Sequence, residues 1–482
     1  MEDLYQALRE LDKSRRYPFH MPGHKRNLPD EAGFLATVAK IDITEIEGYD
    51  NLHHAEGLIL KEEERIASVY GSRCSHILVG GSTAGVLSAI CSQTRPGDTI
   101  VLDRGSHRSA YHALILGGLK PVYFTGEDLE GGTFPVLEGP VLSKPFAFFL
   151  TMPTYEGGCV DLKPIADAVH EKGGLLIVDG AHGAHLRFMK GFENIYEGAD
   201  IVIQSLHKTL PALTQTAVIH VMSERVDEQR LSLYLSMLQT SSPSYVLMAS
   251  VSHLFTTLEK QGMELFDAYQ NRLKDFRERT RDLTHLAVNE ASEDVSGRGQ
   301  DPSKIVITVK DHLYKQGSKE RYDGYALADE LLKTYELDME MATTSYALAM
   351  TSVMDTREGF DRLASALFAI DVTLEERAED RAAGNNAAEN IAREDREDAG
   401  AIGILPRQIM LPSEAVNRPK ETVSAEDAAG RVSAEFIFFY PPGIPILVPG
   451  EEITKELADR ITYLSGTTPN LIRSGQGFEV VV

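Results

Sequence analysis

The stretches Leu175-Leu176-Ile177-Val178-Asp179-Gly180-Ala181-His182 and Ile201-Val202-Ile203-Gln204-Ser205-Leu206-His207-Lys208 decide the fold of this chain. Each opens on a short, largely apolar run that reads as a buried strand, and each then turns polar. The first run delivers Asp179 and the second delivers Ser205, His207 and Lys208. In open parallel sheets ligands bind outside the carboxyl ends of the strands. A carboxylate and a lysine at neighbouring strand ends therefore mark a site.

The same grammar repeats on either side. Ile77 to Val79 is an apolar run followed by Gly80-Gly81-Ser82-Thr83 and a helix from Ala84 onward. Thr99 to Leu102 is followed by Asp103-Arg104-Gly105-Ser106-His107 and another helix. Pro121 to Phe124, Phe146 to Leu150 and Ala217 to Val221 supply further strands. Short strands alternating with helices predict an α/β fold with a mainly parallel sheet covered on both faces. A long amphipathic helix is expected from about Ser244 to Leu286, and Ile305 to Val309 opens a smaller α/β unit that runs to about Leu374. Glu375 to Asp398 is acidic and alanine-rich, broken at Gly384-Asn385-Asn386. From Ala401 a tail follows, with a strand at Phe436 to Tyr440 and a turn at Pro441-Pro442-Gly443-Ile444-Pro445.

The polar clusters at these strand ends share one chemistry. A lysine can bind an aldehyde covalently, and a carboxylate can keep a pyridine nitrogen protonated; together they are what a pyridoxal phosphate enzyme needs. Ser82-Thr83 opens a helix after a Gly-Gly turn, where hydroxyls and backbone N–H groups hold a phosphate at the positive helix end. Ser205 and His207 offer further phosphate donors, and His107 an imidazole that can lie on a pyridine face. Taken singly, each residue has a plainer reading: a helix N-cap for Ser82-Thr83 and Asp179, a polar loop residue for His107, a surface lysine for Lys208. Four strand ends that each offer a piece of one cofactor site favour the joint reading.

Bulk properties narrow the class. The chain has 482 residues, 43% of them hydrophobic and 25% charged, with a formal net charge of -24. That charge repels a phosphate backbone and argues against a nucleic-acid partner. Cys74, Cys91 and Cys159 are too scattered for a disulfide framework or a zinc site, so no metal is expected and a reducing compartment fits best. Met1 to Arg16 reads as a polar amphipathic helix without an apolar signal core, and no apolar run is long enough to span a bilayer. The expected location is the cytoplasm. No Gly-x-Gly-x-x-Gly opens the first helix, which disfavours a Rossmann dehydrogenase.

With these residues in view, the chain resembles the Orn/Lys/Arg decarboxylase family of fold-type-I pyridoxal phosphate enzymes. The resemblance is carried by Phe19-His20-Met21-Pro22-Gly23-His24-Lys25, Asp42-Ile43-Thr44-Glu45 and Gly48-Tyr49-Asp50-Asn51-Leu52-His53. It continues through Gly81-Ser82-Thr83, Asp103 to Ser109, Thr151-Met152-Pro153-Thr154-Tyr155-Glu156-Gly157, Asp179 to His185, Ser205 to Gln215 and Gln239 to Tyr245. Gly430-Arg431-Val432-Ser433-Ala434-Glu435 and Tyr440 to Pro445 extend it into the tail. It covers nearly the whole chain and is similar to the short form of the family, without the amino-terminal wing domain of the larger members. One departure is Gly180, where the family usually has Glu between the Asp and the Ala-His.

The resemblance implies a fold-type-I transferase-like large domain with a mainly parallel sheet, followed by smaller α/β domains. The expected partition is an arm over 1–55, the cofactor-binding domain over 56–290, a small α/β domain over 291–374, an acidic linker over 375–400 and a C-terminal domain over 401–482. It implies that Lys208 carries pyridoxal 5'-phosphate, Asp179 meets the ring nitrogen and His107 stacks on the ring. Ser82, Thr83, Ala84, Ser205 and His207 would surround the phosphate, with His182 also at the cofactor. His207 or Lys208 would return the proton that replaces CO2. The implied substrate is a basic amino acid, arginine first and then lysine or ornithine, giving agmatine or a diamine of polyamine biosynthesis. Asp50, Glu56 and Glu435 are candidate partners for its cationic side chain. Gln239 to Tyr245 would reach a neighbouring subunit's cofactor, so a homodimer or larger even assembly is expected. Two rivals stay open: aminotransfer or carbon–sulfur lysis, with Arg431 or Arg473 holding a substrate carboxylate, and a catalytically silent cofactor-binding protein, at which Gly180 hints.

Overall fold

The computed structural model describes residues 3–126, 129, 137, 146–291, 298–310, 322–383, 405–440, 443–468, 470–475 and 477–482. The apolar runs pair as strands β1 (Cys74–Leu78), β2 (Thr99–Asp103), β3 (Lys120–Phe124), β4 (Phe146–Thr151), β5 (Gly158–Val160), β6 (Leu175–Asp179), β7 (Ile201–Ser205) and β8 (Ala217–Val221). All but β5 form one sheet in the order β1-β8-β7-β6-β4-β2-β3. From β7 to β3 the neighbours run parallel, while β8 is antiparallel to β7 and β1 antiparallel to β8.

Burial on both faces explains why β6 and β7 read as near-continuous apolar runs. Successive side chains point to opposite faces. Leu176, Val178 and Val202 join the core beneath the long helix Tyr245–Thr280, with Met248, Val251 and Phe255. Ile177, Ile201 and Ile203 join the opposite core with Val86 and Ile90 of the helix Gly81–Gln93 and Leu114 of the helix Arg108–Gly117. The parallel register aligns Thr151 with Asp179 and Asp179 with Ile203, so the carboxyl ends of β4 and β6 stand level and β7 runs on past them to Ser205.

The smaller units differ from expectation mainly at their edges. The long helix ends at Thr280, and Leu286, expected as its last residue, opens β9 (Leu286–Val288). Strand β10 (Arg298–Gln300) pairs with β5 of the large domain, which ties the two units together. Strands β11 (Lys304–Val309), β12 (Met341–Ala342) and β13 (Tyr346–Met350) complete a four-stranded sheet with β9, in the order β12-β13-β11-β9. The helix Arg357–Ala383 continues past position 374, after burying one face through Ala364, Leu367, Ile370 and Leu374. The remainder of the expected linker, including the Gly384-Asn385-Asn386 break, lies outside the described residues, as do Pro441 and Pro442. The amino-terminal helix spans Leu4–Lys13, capped by the Asp3 side chain, and buries Leu4, Leu8 and Leu11. Among the described residues no helix is long and apolar enough to cross a membrane.

The tail folds around its own core, with Ile437, Phe439, Leu447, Ile453, Leu457 and Phe478 buried together. One wholly buried ion pair docks it to the large domain. Arg104, at the exit of β2, meets Glu451 through Nη1···Oε1 at 2.9 Å and Nη2···Oε2 at 3.2 Å, and Nη2 also donates to the Ile446 carbonyl. The guanidinium lies 4.9 Å from the centre of the Tyr123 ring. Removing one partner of a buried pair leaves an uncompensated charge, so Glu451→Ala is expected to cost about 3–5 kcal/mol, visible in chemical denaturation. Replacing both partners, as Arg104→Met with Glu451→Leu, is expected to recover most of that loss.

Candidate active site

The neighbouring strand ends bring the polar clusters together. Strand β6 ends in Asp179, whose carboxyl is 4% exposed and whose Oδ1 accepts from the Ala181 N–H at 3.1 Å. Burial pushes this carboxyl up from its ordinary range, while Lys208 pulls it down. Strand β7 ends in Ser205 and runs directly into a single helical turn, Leu206–Thr209, that carries His207 and Lys208. The Lys208 Nζ lies 3.0 Å from His182 Nε2. Burial lowers the pKa of the amine, and Asp179 and Glu340 act in the opposite direction.

His107 caps the helix Arg108–Gly117: its Nδ1 accepts from the Ser109 N–H at 3.2 Å. The proton of the neutral ring therefore sits on Nε2. Burial first, then Lys208, Arg108 and His112, push its pKa down to about 4, so the ring stays uncharged at neutral pH. The C-terminal domain backs this ring. The Gly443 carbonyl accepts from the Arg108 N–H at 2.9 Å, and a Cβ at Gly443 would sit 3.0 Å from His107 Cδ2.

The proposed phosphate end has two open features. The helix Gly81–Gln93 starts at Gly80 without a side-chain cap, which leaves first-turn N–H groups without a side-chain acceptor. Ser205 Oγ is buried and has no hydrogen-bond partner among the described residues. The helix lies hard against β7, since a Cβ on Gly85 would be 2.8 Å from Ile203 Cγ2. Ser82 is half-buried, Thr83 exposed and Ala84 buried. An orphaned buried hydroxyl, an uncapped helix start and a neutral imidazole fit a phosphorylated aromatic cofactor.

Two neighbours were not legible in the sequence. Lys304, the first residue of β11, is wholly buried, and its Nζ lies 3.4 Å from His182 Nδ1. Glu340 is an exposed carboxylate of the small domain that influences Lys208 and Lys304 electrostatically and accepts a hydrogen bond from the Tyr155 hydroxyl. The Tyr155 ring lies 4.6 Å from the His182 ring, centre to centre.

The carboxylates first considered for the substrate are engaged elsewhere. Asp50 accepts from the N–H groups of Glu56, Gly57, Ile59 and Leu60 at the start of the helix Leu58–Tyr70. Burial alone would raise its pKa, but these N–H groups bring it below the usual value. Glu56 is exposed beside His54, and Glu435 is buried in the C-terminal domain against Ser474 and the Glu479 N–H. Arg431 pairs with Glu421 and donates to the Val481 carbonyl, and Arg473 donates to the Gly477 carbonyl, so both arginines bond within the C-terminal domain. Gln239 Oε1 accepts from the Val79 N–H within the same chain, and the Tyr245 hydroxyl donates to the Asp50 carbonyl. Gly180 has a packing reason: a Cβ there would lie 2.8 Å from the Tyr196 hydroxyl, which donates to the Met152 carbonyl.

Comparison with known proteins gives this site its setting. The model "Orn/Lys/Arg decarboxylase, major domain" matches residues 2–322, and "Orn/Lys/Arg decarboxylase, C-terminal domain" matches residues 398–480. The chain belongs to the Orn/Lys/Arg decarboxylase family. Like that family it is a pyridoxal phosphate-dependent decarboxylase. An uncharacterised Bacillus subtilis protein, YaaO, is 33% identical over 96% of this chain and 94% of its own. The arginine decarboxylase of Halalkalibacterium halodurans is 30% identical, covering 91% of this chain and 88% of its own. The Francisella novicida lysine decarboxylase LdcF shares the fold with a TM-score of 0.82 at 20% identity, over all of this chain (100%) and 81% of that one.

If Gly443 sets the depth of the His107 ring, Gly443→Val should push the imidazole toward the cofactor and weaken retention of pyridoxal phosphate, roughly tenfold or more in Kd. Titration of the cofactor-free chain checks this; unchanged affinity in a folded variant contradicts it.

Proposed function

We propose that this decarboxylase acts on arginine, releasing CO2 and agmatine, with lysine and ornithine as weaker substrates. The observation that carries this reading is Glu340, an exposed carboxylate held by Tyr155 within the field of Lys208. A cationic side chain needs such a partner, and a carboxylate held in one orientation suits the planar fork of a guanidinium. Relatives named arginine decarboxylase that are similar over nearly the whole chain support the same choice.

In this reading Lys208 holds the cofactor covalently, Asp179 faces its ring nitrogen and His107 covers one face of the ring. The first turn of the helix Gly81–Gln93, with Ser82, Thr83 and Ala84, holds the phosphate together with Ser205, whereas His207, expected beside it, has its ring N–H committed to the Thr216 carbonyl and gives the phosphate no hydrogen bond. The bound cofactor supplies the electron sink that takes up the pair left when the substrate loses its carboxylate. His207 Nδ1 lies 2.8 Å from the Thr216 carbonyl, to which it donates. The neutral ring then has a bare Nε2 that accepts but cannot donate. Lys208 is therefore the group that delivers the proton to the product carbon.

We further propose a homodimer. Tyr17, Phe19, Met21, Phe34 and Leu35 expose large apolar surfaces along the amino-terminal arm, with Phe19 92% exposed, and a second copy would cover them. A catalytically active monomer in sedimentation would contradict this.

The test of substrate is amine and CO2 formation by the pyridoxal phosphate-loaded protein with arginine, lysine and ornithine supplied separately. Arginine is expected to give the highest kcat/KM, and Lys208→Ala to abolish turnover. Glu340→Gln is expected to raise KM for arginine by roughly tenfold or more with a smaller effect on kcat. Failure of all three amino acids with cofactor bound would overturn the reading.

A further inference from the structure

The residue that the proposed chemistry leaves without a task is Lys304. An amine at 0% exposure is costly unless something in its surroundings uses it. The chain makes room for it deliberately: Gly157 has φ +99°, and a Cβ there would lie 2.7 Å from Lys304 Cγ. The Lys304 carbonyl is held by Arg277 and Asn289, and its N–H donates to the Asp301 carbonyl. The side chain thus enters from the small domain on a rigid stem and ends at the large domain's active site.

His182 stands between two amines, with Lys208 Nζ 3.0 Å from Nε2 and Lys304 Nζ 3.4 Å from Nδ1. A neutral imidazole has one N–H donor and one acceptor nitrogen. It can hydrogen-bond both lysines only when at least one is a neutral amine that accepts the ring N–H, and an ammonium is the stronger donor to the other ring nitrogen. We propose that Lys304 is a positioning residue that shares a single proton with Lys208 across His182, and holds it while the Lys208 amine is free to attack the cofactor aldehyde. The transfer is balanced. An N–H bond of the Lys208 ammonium breaks as one forms at His182 Nε2, while the His182 Nδ1–H bond breaks as one forms at Lys304 Nζ. The ring exchanges tautomers and no charge is created.

The surroundings decide which end keeps the proton. Burial lowers the Lys304 pKa, Asp301 opposes that, Lys208 adds to it, and Glu340 and Cys159 oppose it; the result is about 8. Asp301 is also fully buried, yet His185, then Lys304 and Ser303, hold its carboxyl at about 2, so it stays anionic. Its Oδ1 meets His185 Nε2 at 3.1 Å and the Ser303 N–H at 2.8 Å. On the other side Lys208 faces Asp179, whose pKa burial raises and Lys208 lowers, and Glu340, which acts on both lysines. His182 itself is held well below its usual pKa by burial, then by Lys208, Lys304, His107 and His185, so it carries the proton only in passing. Asp301, the carboxylate whose pKa is held down, lies on the Lys304 side.

This inference rests on the reading that Lys208 binds pyridoxal phosphate, and the test separates the two. Cofactor-free protein is mixed with pyridoxal phosphate across a pH series, reduced with borohydride, and the modified lysine mapped by peptide mass. Modification at Lys208 in the unaltered chain is expected, with a pH midpoint well below the ~10.4 of free lysine. In Lys304→Met, or in Lys304→Gln if the first fails to fold, the midpoint should rise by about one pH unit or more, because the neighbouring cation is gone. A midpoint unchanged in either folded variant overturns the proposal, as does a free-lysine midpoint in the unaltered chain. Absence of label on Lys208 at any pH would instead overturn the cofactor reading itself.

Discussion

Parallel pairing of β4, β6 and β7 is the constraint on which the rest of the site depends. Because Thr151 faces Asp179 and Asp179 faces Ile203, β4 and β6 end level while β7 runs on to Ser205, and a single helical turn after it suffices to bring Lys208 to His182. A register slip of one residue would turn Asp179 to the other face and bury Lys208 away from it. The alternating contribution of β6 and β7 to two separate cores forbids that slip energetically, since every aliphatic side chain would exchange surroundings.

On this platform the three folded units divide the work. The large domain supplies the groups at the strand ends. The small domain brings Lys304 in at the edge of β11 and Glu340 opposite, and β10 pairing with β5 keeps both in place. The C-terminal domain reaches in through Gly443 behind His107 and is anchored through Arg104 and Glu451. Arg104 and His107 belong to the same loop after β2. A change in how the tail docks is therefore felt at the imidazole. Electrostatically the site is a set of buried groups whose pKa values are pushed in different directions: His107 and Lys208 down, Asp179 up.

Much of this was legible in the residues. The seven strands of the main sheet could be read because fully buried strands are unbroken apolar runs, and Asp179, Ser205, Lys208 and His107 because strand ends are where such folds place chemistry. Lys304 was not, since a lysine opening the run Ile305 to Val309 looks like any solvated strand start; only tertiary packing buries it. Glu340 lies beside a two-residue strand and carries no local signature. Asp50 misled because it sits in a family-like segment for a structural reason, closing the start of a helix. Gly180 is explained by Tyr196, a residue whose approach to the turn no local pattern encodes.

In the proposed site one cofactor is held between Lys208, Asp179, His107 and the start of the helix Gly81–Gln93. The most direct measurement is a crystal structure of the protein grown with pyridoxal phosphate. Continuous density is expected from Lys208 Nζ to the cofactor, with its ring nitrogen at the Asp179 carboxyl and its phosphate at Ser82, Thr83 and the Ser205 hydroxyl. Cofactor attached to Lys304, or a phosphate bound away from that helix start, would contradict this placement.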